Sequence, residues 1–213
     1  MPGHETNTVG SYLATRLEQI GIRHYFAVPG DYNLVLLDEL LTNKSLKLIG
    51  CCNELNAGYA ADGYARANGV SAVVVTFSVG GLSAINAIAG AYAEDLPVII
   101  ISGGPNSNSE AENQLLHHTC GEVRYGYAHD MFSHVTARAV IVRNVKDAPT
   151  QIDEAISTCV RSRKPVYIEI ACNIAKLKIS SPKSQRFFGK RSSHPDALDR
   201  KSTRLNSSHM SES

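Results

Sequence analysis

The sequence has 213 residues, of which 43% are hydrophobic and 19% are charged, and its formal net charge is +1. This length favours one domain with a substantial core, and a net charge near zero provides no overall field that would attract nucleic acid. The five cysteines have no paired spacing, which argues against a disulfide framework and a zinc site and favours a reducing compartment.

Neither secretion nor membrane insertion is expected from the sequence. The first ten residues, MPGHETNTVG, lack the basic region and apolar stretch that are typical of a signal peptide. The longest purely aliphatic run, residues 98–101, is far too short to span a bilayer. We therefore expect a soluble, cytoplasmic protein.

The first part of the chain predicts helices that alternate with short strands. Apolar residues recur at helical spacing in residues 9–20 and again in residues 34–41. Short apolar runs predict strands at 24–28 and 46–51. A third helix is predicted at 54–67, and it is unusual in its small residues, which are Ala57, Gly58, Ala60, Ala61, Gly63, Ala65 and Ala67.

The middle of the chain continues this alternation. The continuous apolar run at 72–77 is typical of a strand that is buried on both faces. A helix is predicted to open at Gly80 and to run to Tyr92, and it is followed by a strand at 98–102. The polar stretch at 106–114 predicts a surface loop.

The last elements complete the predicted fold. A strand is predicted near 134–142, a helix capped by Asp147 at 148–160, and a final strand at 165–170. Short apolar strands that alternate with amphipathic helices indicate an α/β fold. We expect an open, doubly wound, mostly parallel sheet of about six strands with helices on both faces.

Residues 1–178 are assigned to this domain, and residues 179–213 are predicted to form a disordered basic tail. Up to Ala175 the chain has 12 basic and 17 acidic residues, whereas beyond it there are 9 basic and 3 acidic ones. The tail is rich in serine and has no apolar periodicity. It lacks the aromatic interleaving that would favour nucleic-acid binding, and its segment 200–209 is similar to translated cloning sequence.

Three segments that follow predicted strands carry chemically useful side chains. These are VPGDYN with Asp31, CCNELNAGYAADGYAR with Glu54, and LLHHT with His117 and His118. Because ligands of such sheets bind beyond the carboxyl ends of the strands, the four side chains are expected at one edge. Each of these residues also has a simpler interpretation. Glu54 would interact favourably with the dipole of a helix at its first turn, Asp31 would be a turn residue, and the two histidines would be exposed side chains without a role.

Together, these segments resemble the N-terminal, pyrimidine-binding domain of thiamine-diphosphate-dependent 2-oxo acid decarboxylases, the pyruvate decarboxylase family. The resemblance runs from about Thr8 to about Ala175. The Glu54–Arg66 segment is shared with the wider superfamily, including acetolactate synthases. The GDYN segment and the histidine pair are narrower and look like the decarboxylase branch.

The resemblance implies thiamine diphosphate as cofactor and pyruvate or a related 2-oxo acid as substrate. It places Glu54 against N1′ of the aminopyrimidine, to which the carboxyl group offers a proton, so we expect Glu54 to be buried. It places Asp31 and His118 at the substrate, with His117 beside them as a further catalytic group.

The resemblance also implies ligands that this sequence does not contain. In the family, Mg²⁺ and the diphosphate need a separate domain with a Gly-Asp-Gly motif, which is absent from the 213 residues. A homodimer or homotetramer is implied because the cofactor lies between two subunits. We therefore expect the chain alone, as a truncated N-terminal domain, to be inactive.

Several other functions remain open from the sequence. Indolepyruvate and phenylpyruvate decarboxylases stay open as alternatives, because side chains of domains outside this sequence would set the size of the substrate pocket. Acetolactate synthases are disfavoured because they lack the histidine pair. A non-catalytic oligomerisation module would also explain the missing Mg²⁺ motif. The sequence disfavours a nicotinamide-binding protein, because no G-x-G-x-x-G segment follows a strand.

Overall fold

The computed structural model describes residues 7–179, and these form one six-stranded sheet with six helices. The predicted tail therefore lies, apart from its first residue, outside the described residues. The strands are β1 His24–Ala27, β2 Lys47–Gly50, β3 Ser71–Val75, β4 Val98–Gly104, β5 Arg138–Val142 and β6 Val166–Ala171. The helices are α1 Val9–Gln19, α2 Leu34–Leu41, α3 Glu54–Asn68, α4 Val79–Ala93, α5 Tyr127–Val135 and α6 Ala148–Ser162.

The sheet is parallel throughout, with the strand order β2-β1-β3-β4-β6-β5. Every residue of β3, β4 and β6 is buried, as expected for central strands that are covered on both faces. The predicted fold class, an open doubly wound α/β sheet, is confirmed.

Alternate residues of each central strand belong to two separate apolar layers. Ala72 and Val74 pack with α1, α2 and α6, whereas Val73 and Val75 pack with α3, α4 and α5. This alternation follows from the two-residue period of a strand. Three helices therefore cover each face of the sheet.

The small residues of α3 allow it to lie very close to α4. A Cβ atom placed on Gly58 would lie 2.7 Å from Cβ of Ala87, which is closer than real side chains approach. Ala57, Ala61 and Ala65 are buried on the same side of the helix. The composition of α3 is therefore explained by close helix packing.

One predicted element was wrong at its beginning. His134, where a strand was predicted to start, lies near the end of α5, and the strand begins only at Arg138. The helix was missed although its buried residues, Ala128 and Phe132, have helical spacing. The apolar and β-branched residues around Val135 conceal the boundary between the two elements.

The start of α6 was predicted correctly, but its capping was not. Asp147 occupies the N-cap position, yet its side chain makes no capping hydrogen bond. Its backbone is in the right-handed helical region, with φ −90° and ψ −17°, which does not suit a capping side chain.

The two ends of the described chain are joined by backbone hydrogen bonds. The amide of Val9 donates to the carbonyl of Leu177 at 3.1 Å, and the amide of Ile179 donates to the carbonyl of Asn7 at 2.8 Å. Thr8 and Lys178 form an antiparallel bridge. Among residues 7–179, no helix has the length and apolar character needed to cross a membrane.

Candidate active site

The order of the strands creates a crevice between β1 and β3. From β1 the chain passes through α2 to the edge strand β2, whereas from β3 it passes through α4 in the opposite direction. Because α2 and α4 lie on opposite faces, the loops after β1 and β3 diverge. In open α/β sheets such a switch point is where ligands bind.

All four predicted site residues lie at this edge of the sheet. Asp31 follows β1, Glu54 opens α3 directly after β2, and the histidine pair lies in the long loop after β4. The prediction that the parallel fold brings these segments to one edge agrees with this topology. Their side chains form two neighbouring groups, described in turn below.

A buried asparagine shapes the turn that presents Asp31. Oδ1 of Asn33 accepts a hydrogen bond from the amide of Gly30 at 2.9 Å, and its Nδ2 donates to the carbonyl of Val28 at 3.0 Å. Asn33 is fully buried, whereas the side chain of Asp31 is 55% exposed. The turn is therefore fixed from within, and the carboxylate projects outward.

The same turn rests directly on the end of β4. A Cβ atom on Gly103 would overlap the backbone of Tyr32 and lie 2.7 Å from Cα of Asn33. Only glycine permits this approach, since any side chain would displace the turn. Gly103 therefore determines the height of Asp31 above the sheet.

A second buried side chain fixes the loop that carries the histidines. The hydroxyl group of Tyr125 donates toward the carbonyl oxygens of Gln114 and Ser109. The ring of Tyr125 meets Phe77 edge-on at 6.1 Å, and Phe77 in turn meets Tyr32 at 5.2 Å. These aromatic contacts join the histidine loop to the Asp31 turn.

His117 and Asp31 form a direct contact. Nε2 of His117 lies 2.6 Å from Oδ2 of Asp31, and the imidazole ring stacks on Tyr32 with the ring centres 4.8 Å apart. The Tyr32 hydroxyl lies 3.3 Å from Nδ1 of His117. Burial, together with the charge of Asp31, raises the pKa of Tyr32 to about 12, so the hydroxyl keeps its proton.

His118 adopts an unusual backbone conformation beside this pair. Its φ of +67° lies in the left-handed region, which is uncommon for residues other than glycine and often marks functional sites. Its ring centre is 4.7 Å from that of His117. Nδ1 of His118 is buried and has no hydrogen-bond partner within residues 7–179.

Glu54 is the first residue of α3 and is half-buried, less than we expected. The side chain of Asn53 caps the helix by accepting a hydrogen bond from the amide of Asn56 at 2.8 Å, which fixes where Glu54 begins it. A Cβ atom on Gly80 would lie 3.2 Å from Oε1 of Glu54. The carboxylate therefore lies over the glycine at the start of α4.

Thr76, at the end of β3, links the two groups of side chains. A Cβ atom on Gly30 would lie 2.7 Å from Oγ1 of Thr76, and one on Gly80 would lie 3.1 Å from its Cγ2. Thr76 thus fits between the glycine that precedes Asp31 and the glycine that faces Glu54. Thr76 therefore lies against both the turn that carries Asp31 and the start of α4, over which Glu54 lies.

Two buried hydroxyl groups in this crevice lack partners. Oγ1 of Thr76 and Oγ of Ser78 have no hydrogen-bond partner in the described part of the chain. Ser78 also has a φ of +53°, which a non-glycine residue adopts only at a cost. Because buried hydroxyl groups are normally hydrogen-bonded, these two are expected to bind a ligand or a water molecule.

Sequence reasoning missed the residues that support this site, among them Tyr32, Asn33, Thr76 and Ser78. Tyr32 and Asn33 were within the GDYN segment, but nothing in the local pattern indicated which side chain would be buried. No local signal marked Thr76 or Ser78, because their role depends on the packing of distant glycines.

Comparison with known proteins identifies relatives of this domain. A family model described as the thiamine pyrophosphate enzyme, N-terminal TPP binding domain, matches residues 7–134. The chain is 59% identical over 170 residues to pyruvate decarboxylase 1 of Oryza sativa subsp. indica, which covers 80% of this chain and 28% of the relative.

Two further relatives give a similar result. Pyruvate decarboxylase 1 of Arabidopsis thaliana is 57% identical over 170 residues, which are 80% of this chain and 28% of that protein. Pyruvate decarboxylase 2 of Nicotiana tabacum is 59% identical over 167 residues, which are 78% of this chain and 27% of that protein. The chain thus spans less than a third of the length of the curated relatives it matches.

Proposed function

Because this chain belongs to the thiamine pyrophosphate enzymes, as their N-terminal TPP-binding domain, we propose that it supplies one half of a 2-oxo acid decarboxylase active site. Membership of the family confirms the resemblance that the sequence indicated. The reaction proposed is the non-oxidative decarboxylation of pyruvate to acetaldehyde and CO₂. The names of the relatives favour pyruvate over indolepyruvate or phenylpyruvate.

The crevice between β1 and β3 fits the aminopyrimidine ring of thiamine diphosphate. It offers the Glu54 carboxyl group over Gly80, together with the unpaired hydroxyls of Thr76 and Ser78. A planar ring that carries nitrogen donors and acceptors would satisfy these groups, and the glycines leave room for it. Glu54 would hold a proton at N1′ of the ring.

The other group of side chains suits the 2-oxo acid. When bound, thiamine diphosphate supplies the nucleophilic carbon and the electron sink for the decarboxylation. The paired Asp31 and His117 would move protons at the carbonyl oxygen and at the carbon that loses CO₂. His118, beside them, would orient the substrate carboxylate.

Further parts of the proposal concern groups outside this chain. Mg²⁺ and the diphosphate require oxygen ligands that no Gly-Asp-Gly segment of this sequence provides, so we assign them to a second domain. The half-exposed Glu54 would be covered by that domain of another subunit, which implies a homodimer or homotetramer. Five free cysteines favour a cytoplasmic location.

The observation that carries the proposal is the position of Thr76, which lies against both the glycine that precedes Asp31 and the glycine over which Glu54 lies. The proposed function can be tested with a chimera. In this chimera, residues 1–178 replace the matching segment of pyruvate decarboxylase 1 from Oryza sativa. We expect the chimera to release acetaldehyde from pyruvate with thiamine diphosphate and Mg²⁺. Changing Glu54→Gln in the chimera should abolish this release.

The matched control is Asp38→Asn, which removes an exposed carboxylate from α2 without touching the crevice. This variant should retain the activity of the chimera. A chimera that assembles and binds cofactor but is inactive would instead favour a non-catalytic oligomerisation module. Equal activity of the Glu54→Gln and parent chimeras would refute the assignment of Glu54.

A further inference from the structure

The side chains of Asp31, His117 and His118 form a compact set of metal-binding atoms. One ligand atom from each residue, a carboxylate oxygen or a ring nitrogen, lies within 4.8 Å of the other two. The side chains of Asp31 and His117 are more than half exposed, so both can rotate without disturbing the core. Among residues 7–179 this is the one such group of three.

Two imidazoles and one carboxylate are typical ligands of zinc rather than of magnesium. Zn²⁺ accepts nitrogen and oxygen ligands at about 2.0–2.2 Å in a tetrahedral arrangement, whereas Mg²⁺ prefers oxygen ligands alone. Three protein ligands would leave the fourth position open. Closing the set around an ion requires movements of about 1 Å, since tetrahedral ligands at 2.0–2.2 Å lie about 3.3–3.6 Å apart.

Tyr32 provides the support that metal-binding histidines usually have. Its hydroxyl lies 3.3 Å from Nδ1 of His117 and also 3.3 Å from the carbonyl oxygen of the same residue. When Nδ1–H donates to this hydroxyl, Nε2 keeps its lone pair and faces Asp31. A hydrogen bond at the second ring nitrogen sets the tautomer in this way at many metal sites.

We propose that Asp31, His117 and His118 bind one Zn²⁺ ion, or a divalent cation of similar preference, with one coordination position open. The ion takes the place of the proton that Asp31 and His117 otherwise share. Binding of the ion does not depend on the proposed function. The effect of the ion on catalysis does rest on the proposed function, because a bound ion would make Asp31 and His117 unavailable for proton transfer to the 2-oxo acid.

The test is a calorimetric titration of Zn²⁺ into the 213-residue chain, with Cys51, Cys52, Cys120 and Cys172 changed to serine so that accessible thiols do not compete, and with the fully buried Cys159 retained. We expect one strong site that is weakened by about ten-fold or more in His117→Ala, Asp31→Asn and His118→Asn. Asparagine is chosen at position 118 because it tolerates a positive φ. Co²⁺ in place of Zn²⁺ should give the visible absorption of a four-coordinate ion.

Two further variants separate this site from other histidines. Tyr32→Phe keeps the aromatic packing but removes the hydroxyl, and it should weaken binding by about ten-fold. His134→Ala removes an exposed histidine of α5 and should leave the affinity unchanged. Absence of binding at micromolar Zn²⁺, or binding that the site variants do not weaken, overturns the proposal whether or not the chimera decarboxylates pyruvate.

Discussion

Oδ2 of Asp31 lies 2.6 Å from Nε2 of His117, although the two residues are 86 positions apart in the sequence. The two residues follow β1 and β4, which are not neighbours in the sheet, because β3 lies between them. Their contact therefore crosses over the end of β3, where Phe77 supports the ring of Tyr32 from below. The pair joins two parts of the site that the sheet alone would keep apart.

Asp31→Asn should remove the carboxylate that exchanges protons with His117, while it preserves the shape of the side chain. In the chimera, kcat/KM for pyruvate should fall by about 10²–10⁴-fold, the usual contribution of a positioned acid–base group. Steady-state acetaldehyde release measures the change. A loss no greater than that caused by Asp38→Asn would argue against a catalytic role for Asp31.

Gly80→Ala should disturb Glu54 without altering its charge. The added methyl group would lie 3.1 Å from Cγ2 of Thr76 and 3.2 Å from Oε1 of Glu54, and the flexible carboxyl group is the neighbour that yields most easily. We expect the exchange rate of the C2 proton of bound thiamine diphosphate, followed by NMR in the chimera, to fall about ten- to a hundred-fold. Gly90→Ala, on the same helix but with open space around it, is the control that should exchange at the parental rate.

Gly103→Ala should destabilise the domain through the Asp31 turn. Because the new methyl group would overlap the backbone of Tyr32, we expect a loss of about 3 kcal/mol in the free energy of unfolding. Denaturant unfolding of the 213-residue chain measures it. Gly63→Ala, in an open position of α3, should instead raise stability by about 0.5–1 kcal/mol, and similar results for both variants would contradict the proposed contact.

Glu169 should make the stability of the domain depend on pH. Burial raises the pKa of this carboxyl group from 4.5 to about 7, partly opposed by a hydrogen bond from Tyr167 at 2.6 Å and by the charge of Arg143, while Glu110 adds to the rise. Since the folded state favours the protonated form, stability should fall as the pH rises from 4.5 to 7 and change no further above that range.

The contribution of Glu169 can be isolated by comparing the pH dependence of the parent chain with that of Glu169→Gln, which cannot ionise at this position. The free energy of unfolding of the parent chain should decrease by about 3 kcal/mol relative to the variant over this pH range. Asp38→Asn provides a control with an exposed carboxylate, and its pH dependence should follow that of the parent. Parallel curves for the parent and Glu169→Gln would show that Glu169 does not titrate there.

The 213-residue chain alone should release no acetaldehyde from pyruvate in the presence of thiamine diphosphate and Mg²⁺. Its sequence has no Gly-Asp-Gly segment to hold the ion and the diphosphate, and Glu54 is only half-buried without a covering domain. A coupled alcohol dehydrogenase assay at high protein concentration measures any product. Detectable turnover would mean that the chain holds the cofactor by itself.

The fold was predictable because its information is local. Continuous apolar runs such as 72–77 and helical periods such as 9–20 each predict one element, and their alternation predicts the parallel sheet. The start of β5 was missed because α5 and the strand are separated by only Thr136 and Ala137, and apolar residues occur on both sides. Periodicity cannot resolve so short a connection.

The candidate site was predictable in position but not in detail. A parallel sheet brings the residues after its strands to one edge, which is why Asp31, Glu54 and the histidines could be grouped. The stacking of Tyr32 on His117 and the place of Thr76 between two glycines depend on contacts between distant segments. Local patterns do not contain such contacts.

The backbone hydrogen bonds between residues 7–10 and 175–179 have a consequence for engineering. Since the amide of Ile179 meets the carbonyl of Asn7, a short peptide could link these positions and new termini could be opened in the exposed turn at 110–113. Such a circular permutant would keep every strand in its place. It would also free the histidine loop at one end, giving a direct way to vary its mobility.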